Sequence, residues 1–113
     1  MIKHLGGRKL GRTGAHRLAL LKNMATSLFL HERIETTVEK AKELRPFAER
    51  IITQAKRGRQ DMVRKKIHDK RVFKKLFEVL VPRYESRAGG YTQIIRTRLR
   101  EGDNAKVGLI RLV

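Results

Sequence analysis

Apolar residues recur at helical spacing in the first well-patterned stretch of the chain, AHRLALLKNMATSLFLHE. Intervals of three and four residues place side chains on one face of a helix. The pattern predicts a helix over about residues 14–31, which Thr13 could cap. The side chains expected on its apolar face are Leu18, Leu21, Met24, Ala25, Leu28 and Phe29.

A short strand and a second helix follow. Polar and β-branched residues alternate over about residues 33–37, which predicts a strand. Thr36 and Glu39 then match the T-x-x-E capping box that begins many helices. The expected core stripe of the second helix is Ala41, Leu44, Ala48, Ile51 and Ala55.

Pro46 lies inside this second helical pattern, where proline removes a hydrogen bond and clashes with the preceding turn. Either the helix kinks there or two shorter helices abut, and the unbroken phase of the core stripe favours a kink. Gly58 is expected to end the element, because glycine is common just after the last helical residue.

Two more helices are predicted before the C-terminal third. The first is short and very basic, over residues 60–68, with Met62, Val63 and Ile67 facing inward. The second is KRVFKKLFEVL, which Asp69 could cap and the Val81-Pro82 pair is expected to stop. Its inward stripe is Phe73, Leu76, Phe77 and Leu80.

The last third of the chain alternates instead, which predicts a β-hairpin. The two faces of its first strand are Ile95, Thr97 and Leu99, and Arg96, Arg98 and Arg100. EGDNA has turn composition, and KVGLIRLV is a second strand whose buried face stays open because both faces carry apolar residues. The predicted fold is a two-layer α+β domain, α-β-α-α-α-β-β, in which helices cover a small mixed sheet.

Residues 1–13 follow neither periodicity, and four glycines lie between Lys3 and Arg17. Glycine raises the entropy cost of ordering a backbone, and few apolar residues are present to offset that cost. The sequence therefore predicts an extended basic N-terminal arm over residues 1–13, disordered alone, and a single globular domain over residues 14–113.

Charge narrows the choice of partner. The chain has 28 Lys and Arg against 11 Asp and Glu, a formal net charge of +17. Self-repulsion at this charge opposes a compact state unless a polyanion balances it, so nucleic acid is the leading partner. A membrane surface is second, but it would need a spare apolar helix face. The lack of cysteine, of a spanning segment and of a secretory signal favours the cytoplasm.

Two basic segments are candidates for nucleic-acid contact. The arm could enter among phosphates, or it could be a solvated tail. Residues 56–75 contain ten Lys and Arg against Asp61 and Asp69, which suits a polyanion as a group, although each lysine alone is better explained as solvated.

The turn SRAGGYT and the strand arginines are weaker candidates. The glycine pair could let a phosphate approach, or it could serve a tight turn that needs positive φ. The Arg96, Arg98 and Arg100 ladder could contact an anion or face solvent. Tyr84 and Tyr91 could stack on bases, but half-buried rings with surface hydroxyls are expected.

No catalytic or metal site is predicted, and no cofactor. The four histidines lack metal-ligand spacing, and His31-Glu32 lacks the second histidine of H-E-x-x-H. Ser27 and Ser86 lack the context of a nucleophile. The glutamates near the second helix are interpreted as helix-dipole and i,i+4 partners. The chain is therefore not expected to be an enzyme.

Four longer strings cover nearly the whole chain in order: GRKLGRTGAHR, HRLALLKNMATSLFLHERIETTVEKAKELR, PRYESRAGGYTQI and GDNAKVGLIRLV. Together they resemble the bacterial large-subunit ribosomal protein seventeen family. The resemblance implies a structural component of the large ribosomal subunit that binds large-subunit ribosomal RNA beside neighbouring subunit proteins and aids RNA folding and assembly. It implies no membrane and no small-molecule substrate.

A nucleoid-type DNA-binding protein is the rival interpretation, since it would share the charge. RNA contact is expected through phosphates and the shape of folded RNA. The residues proposed for it, from the charge pattern and the resemblance together, are Lys3, His4, Arg8, Lys9, Arg12, His16, Arg17, Asn23, Lys56, Arg57, Arg59, Arg64, Lys65, Arg71, Arg87, Gly89, Gly90, Tyr91, Thr92, Arg96 and Arg98.

Overall fold

The computed structural model describes residues 14–113. The elements, in order, are α1 (Gly14–His31), β1 (Arg33–Thr37), α2 (Val38–Lys56), α3 (Gln60–Arg64), α4 (Lys70–Lys75), a π-helical turn (Leu76–Leu80), α5 (Val81–Arg83), β2 (Thr92–Leu99) and β3 (Lys106–Leu112). The α+β class and the bounds predicted for α1 and β1 are confirmed. The predicted arm at residues 1–13, including the Thr13 cap, lies outside the described residues.

The sheet has the strand order β1-β3-β2, and the predicted strand at 33–37 does join the hairpin. Both pairings are antiparallel, so the expectation of a mixed sheet is wrong. β3 takes the centre because it is the most apolar strand, with Val107, Ile110 and Leu112 buried. The polar strands β1 and β2 form the edges.

The core lies between the sheet and the two long helices. α2 contacts all three strands and α1, and every residue of its predicted stripe is buried. Phe47 and Ile52 are buried as well, so the apolar face of α2 is wider than the predicted stripe. On α1 the predicted face is correct from Leu21 to Phe29, but Leu18 is 44% exposed because the first turns of α1 project beyond the core.

α2 begins one residue later than predicted. The side chain of Thr37 accepts a hydrogen bond from the backbone N–H of Lys40 at 3.3 Å, whereas Thr36 stays in β1, paired with Gly108. The helix then runs unbroken through Pro46 to Lys56, so the alternative of two abutting helices is wrong. Gly58 follows with φ +74° and ends the element as predicted.

The prediction that Val81-Pro82 stops the fourth helical segment is wrong. Asp69 caps α4 as expected, accepting from the N–H groups of Arg71 and Val72. A π-helical turn follows, in which the N–H of Val81 donates to the carbonyl of Leu76. This wider turn lets Pro82 enter at the start of α5, where its missing N–H matters least. The segment buries Val72, Leu76 and Leu80, while Phe73 and Phe77 are only half-buried.

β2 turns a different face to the core than predicted. Ile94 packs on the core, whereas Ile95 and Leu99 are 40% and 59% exposed. Arg96 pairs with Gly108 and Arg98 with Val107, so Thr97 is the extra residue of a β-bulge. Because Gly108 and Val107 are successive residues, the bulge puts Arg96 and Arg98 on opposite faces. The predicted three-arginine ladder is therefore wrong.

Candidate nucleic-acid interface

The predicted contact residues divide by exposure. Lys3, His4, Arg8, Lys9 and Arg12 lie outside the described residues. Those exposed in the structure are His16, Asn23, Arg57, Arg59, Arg64, Lys65, Arg71, Arg87, Gly89, Gly90, Arg96 and Arg98. Arg17 and Lys56 are half-buried, and Tyr91 and Thr92 are buried.

Among residues 14–113, a basic surface runs from the end of α2 across α3 to the start of α4. α3 is a single short helix anchored by buried Val63, and its exposed side carries cations. The guanidinium of Arg64 lies 4.8 Å from the ring centre of Phe73, which fixes it by a cation–π contact. The guanidinium of Arg71 lies 3.5 Å from the carboxylate of Asp69, the residue that caps α4. The surface therefore combines positioned arginines with a short, tightly connected backbone.

Lys56 fastens the glycine turn to the end of α2. Its ammonium donates to the carbonyl of Arg87 at 2.5 Å and to the Tyr91 hydroxyl at 2.9 Å. The Nε of Arg87 in turn donates to the carbonyls of Gly89 and Gly90, at 3.3 Å each. Gly90 has φ +64°, so the turn needs positive φ as the plainer interpretation expected. Lys56 thus positions the turn, which presents the exposed Arg87.

Tyr91 and Thr92, two of the predicted contact residues, make contacts inside the protein. The backbone N–H and hydroxyl of Thr92 donate to Glu49 on α2, at 3.1 Å and 2.8 Å. Tyr91 is 2% exposed, and its backbone carbonyl accepts from the N–H of Val113 at 2.9 Å. Both residues therefore hold the turn in place, because their side chains point into the protein.

Both tyrosine rings are more deeply buried than expected. The rings of Tyr84 and Tyr91 lie 5.1 Å apart, and the Tyr84 hydroxyl donates to the backbone carbonyl of Val113 at 2.8 Å. Burial raises the pKa of the Tyr84 hydroxyl. Tyr84 and Tyr91 are each 2% exposed, so their rings are not open to stacking on bases in this conformation.

Arg17 is an anchor of α1. Its guanidinium forms an ion pair of 2.5 Å with Glu43, a residue of α2 that is 7% exposed. The pair joins the start of α1 to the middle of α2. Glu43 is buried among apolar neighbours, and the charge of Arg17 compensates it there. This residue therefore contributes more to helix packing than to the exposed surface.

Two of the glutamates predicted as local helix partners have that role: Glu39 lies in the first turn of α2, and Glu49 lies 3.6 Å from Arg45, four residues before it. Others join distant segments. Glu32 accepts from both terminal nitrogens of Arg83, at 2.7 Å and 3.0 Å, and lies 3.0 Å from the ammonium of Lys75. These contacts lower the pKa of the Glu32 carboxyl to about 2, and the hydrogen bonds from Arg83 have the largest effect. Glu35 pairs with Arg98 at 3.3 Å across the sheet. Glu32 and Glu35 are thus used in ion pairs between separate elements.

The sequence analysis did not associate Lys66 with Lys22 and Arg50, whose charges act on its ammonium. Burial lowers the pKa of the Lys66 ammonium, and the charges of Arg50 and Lys22 lower it further. Their positions are 28 and 16 residues apart (50 − 22 and 66 − 50), so no local pattern links them. Only the packing of α1, α2 and the segment after α3 brings them together.

Over residues 14–113, no helix is both long and apolar enough to cross a membrane. The same part of the chain holds no group of three or more His, Cys, Asp or Glu side chains that could bind a metal ion.

The fold and the surface together define a small, basic α+β protein of the kind that binds polyanions, with cations set on short helices and on one anchored turn. Comparison with known proteins gives the family. The family model described as Ribosomal protein L17 matches residues 20–113. The chain therefore belongs to the ribosomal protein L17 family, which confirms the resemblance seen in the sequence motifs.

The relatives match the chain over its whole length. It is 56% identical to the "Large ribosomal subunit protein bL17" of Elusimicrobium minutum (strain Pei191), over 100% of this chain and 99% of that protein. The identically named protein of Endomicrobium trichonymphae is 47% identical, over 100% of this chain and 99% of that protein. That of Anaeromyxobacter dehalogenans (strain 2CP-C) is 52% identical, over 99% and 72%.

The family consists of structural components of the ribosome rather than enzymes. The prediction that the chain is not an enzyme is therefore confirmed.

Proposed function

We propose that this protein is a structural constituent of the large ribosomal subunit, where it binds large-subunit ribosomal RNA and aids its folding and assembly. The observation that supports this most strongly is the full-length likeness to relatives named as large ribosomal subunit proteins. The proposed place of action is the ribosome in the cytoplasm, beside neighbouring subunit proteins.

The proposed contacts are electrostatic. Arg57, Arg59, Arg64 and Lys65 project from short segments fastened to α2, and Arg87 projects from the turn that Lys56 holds. Each phosphate that a cation neutralises releases counterions and adds roughly 0.7–0.9 to the slope of log affinity against log salt. The cations of residues 1–13 belong to the same proposal, with the arm ordering on RNA.

Binding of the full chain to large-subunit ribosomal RNA tests the proposal. At ~0.2 M salt we expect tighter binding to folded ribosomal RNA than to duplex DNA of the same length, because the protein fits a folded RNA surface. Equal affinity for the two would favour the nucleoid-type DNA-binding alternative.

A charge variant tests the location of the interface. Replacing Arg57, Arg59, Arg64 and Lys65 together with glutamine should lower the salt slope by roughly three, from four phosphate contacts at about 0.7–0.9 each. A matched control replaces the exposed Glu78, Glu85 and Glu101 with glutamine, and should leave the slope unchanged. In lysates, the tagged protein should sediment with large subunits until RNase is added; failure to do so contradicts the proposal.

A further inference from the structure

The outer strand β1 has one free edge. It pairs only with β3, in an unbroken antiparallel register. Just before β1, the carbonyl of Glu32 accepts from the N–H of Leu112 at 2.9 Å. Hydrogen-bonded pairs alternate with non-bonded pairs along antiparallel strands, so Ile34 and Thr36 are the residues of β1 that bond to β3. The N–H and the carbonyl of Glu35 therefore point away from the sheet.

This edge is open to another strand. Within residues 14–113, no protein group pairs with the N–H and carbonyl of Glu35, the carbonyl of Arg33 or the N–H of Thr37. A row of unpaired backbone groups is a template for strand pairing. The opposite edge, on β2, is protected by the bulge at Thr97 and by its arginines. β1 has no bulge, and the charge of Glu35 is compensated by Arg98 at 3.3 Å.

An apolar groove of about 310 Å³ runs beside this edge, between β1 and α1. Its apolar lining consists of Leu20 and Met24 on α1 and Ile34 on β1, all half-buried. Leu20 and Met24 are four residues apart and so lie on one face of α1. Side chains alternate between the two faces of a strand. Every second side chain of a strand added to β1 would therefore face this groove.

The charges around the groove favour an acidic partner. Lys40 lines the groove, and the exposed Arg33 begins β1. Among residues 14–113, neither cation forms an ion pair with a carboxylate. Glu35, the one described acid that lines the groove, is already paired with Arg98. The net charge of +17 also opposes pairing of β1 with a second copy of the chain.

We propose that an extended segment of a partner protein adds to β1 as a fourth strand of the sheet. Apolar side chains at alternate positions of that segment fill the groove beside α1, and a carboxylate near its end meets Arg33 or Lys40. In this mode, backbone hydrogen bonds give affinity and the pockets for alternate side chains give specificity. The inference goes beyond the proposed function, because it concerns a protein partner and a groove that none of residues 56–75 lines.

A pair of peptides tests the groove. The probe is acetyl-Asp-Val-Thr-Val-Thr-Val-Asp-amide, and the control peptide has serine in place of the three valines, with the same length and charge. In NMR spectra of the full chain, the valine peptide should cause saturable shifts of the amides of β1 and of α1 near Met24. The serine peptide should bind at least tenfold more weakly, because it buries little apolar surface. Equal affinity for the two peptides would overturn the inference, since charge alone would then explain binding.

Two variants at one position test the free edge. Proline lacks an N–H and is tolerated on an edge strand where the N–H faces outward, as it does at Glu35. Glu35→Pro should weaken binding of the valine peptide about tenfold, from the lost hydrogen bond and the acceptor left unpaired. Glu35→Val removes the same carboxylate but keeps the N–H, so its affinity should stay within about twofold of the parent. Equal affinities of the two folded variants would contradict strand addition.

Hydrogen exchange of the parent protein needs no variant. In the free protein the amide of Glu35 should exchange quickly, while those of Ile34 and Thr36 are protected by β3. Saturation with the valine peptide should slow exchange at Glu35 at least tenfold. Peptide-induced shifts on α1 without this slowing would indicate a ligand that fills the groove but forms no strand, which overturns the inference.

The same measurement distinguishes the other occupants of the edge. Slowing at Glu35 that grows with protein concentration alone would identify a second copy, and slowing by large-subunit ribosomal RNA without peptide would identify RNA. Either result would overturn the assignment to a partner protein. The affinity of the parent for ribosomal RNA decides the proposed function separately, because the peptide measurements contain no RNA.

Discussion

Glu32 occupies the junction between α1 and β1 with φ +68°, a conformation that costs a non-glycine residue roughly 1–2 kcal/mol. Its carboxylate contacts Arg83 through two hydrogen bonds and Lys75 through one ion pair. Its backbone carbonyl accepts from the N–H of Leu112 at the end of β3. One residue therefore joins α1, the helical segment from α4 to α5, and the sheet. These contacts explain why its backbone is held at positive φ.

Glu32→Gln should lower the free energy of unfolding at pH 7 by up to about 1 kcal/mol, the range for a partly exposed ion pair. The pKa of Glu32 is lowered from 4.5 to about 2 in the folded state. Its stabilising effect is therefore complete above pH ~4.5 and is lost as the pH falls toward 2.

Urea unfolding at pH 7 and at about pH 2 measures this difference. The gap between parent and Glu32→Gln should close at the lower pH. Glu85→Gln, an exposed carboxyl near α5, should give the parent's stability at both. A gap of the same size at both pH values would contradict the role assigned to the Glu32 charge.

Glu49→Ala should destabilise the protein by about 1–3 kcal/mol, because it leaves the buried N–H and hydroxyl of Thr92 without an acceptor. Lys42→Ala, at an exposed site on the same helix, should change stability by no more than about 0.5 kcal/mol. Chemical denaturation checks both, and equal effects would show that the Glu49 contact contributes nothing specific.

At the scale of secondary-structure elements, the spacing of apolar residues correctly predicted helices that bury one face. α1 and the core stripe of α2 follow the sequence pattern because their apolar faces are uninterrupted. The errors occur where one residue changes the hydrogen-bond pattern. The bulge at Thr97 shifts the faces of β2, and the π-helical turn lets the chain pass Pro82. Neither leaves a repeating signal in the sequence, so spacing alone could not reveal them.

Gly58 gives a test of how α2 ends. Gly58→Ala should lower the free energy of unfolding by about 1–2 kcal/mol, since φ there is +74° and no atom within 4 Å would meet the new methyl group. Gly89→Ala is the matched control, because Gly89 has equal space and no positive φ. Circular dichroism melts should separate the two variants; matching midpoints would show that backbone conformation at Gly58 is unimportant.

At the scale of the whole molecule, the sequence predicted the sign and the broad place of the charged surface but not how individual residues share in it. The cations Arg57, Arg59, Arg64 and Lys65 are exposed as expected. Arg17 and Lys56 instead turn inward, to Glu43 and to the glycine turn. An isolated basic residue gives no sign of which role it has. The role depends on a partner that is distant in sequence, 26 residues away for Arg17 and 31 residues away for Lys56.

The net charge of +17 predicts a salt response of the free protein. Raising sodium chloride from about 0.05 M to 0.5 M should raise the thermal midpoint, because screening weakens self-repulsion more than it weakens the few ion pairs. Scanning calorimetry in the absence of RNA measures this. A midpoint that falls steadily with salt would mean that the ion pairs outweigh the repulsion.

The continuity of α2 has a consequence for the energetics of recognition. This one helix contacts every strand and is capped at its start by Thr37 of β1. It also holds the glycine turn through hydrogen bonds of Glu49 and Lys56. The turn's geometry is thus settled when the protein itself folds. A ligand meeting it would find a preorganised surface, so calorimetry should record only a small heat-capacity change from that part of the contact.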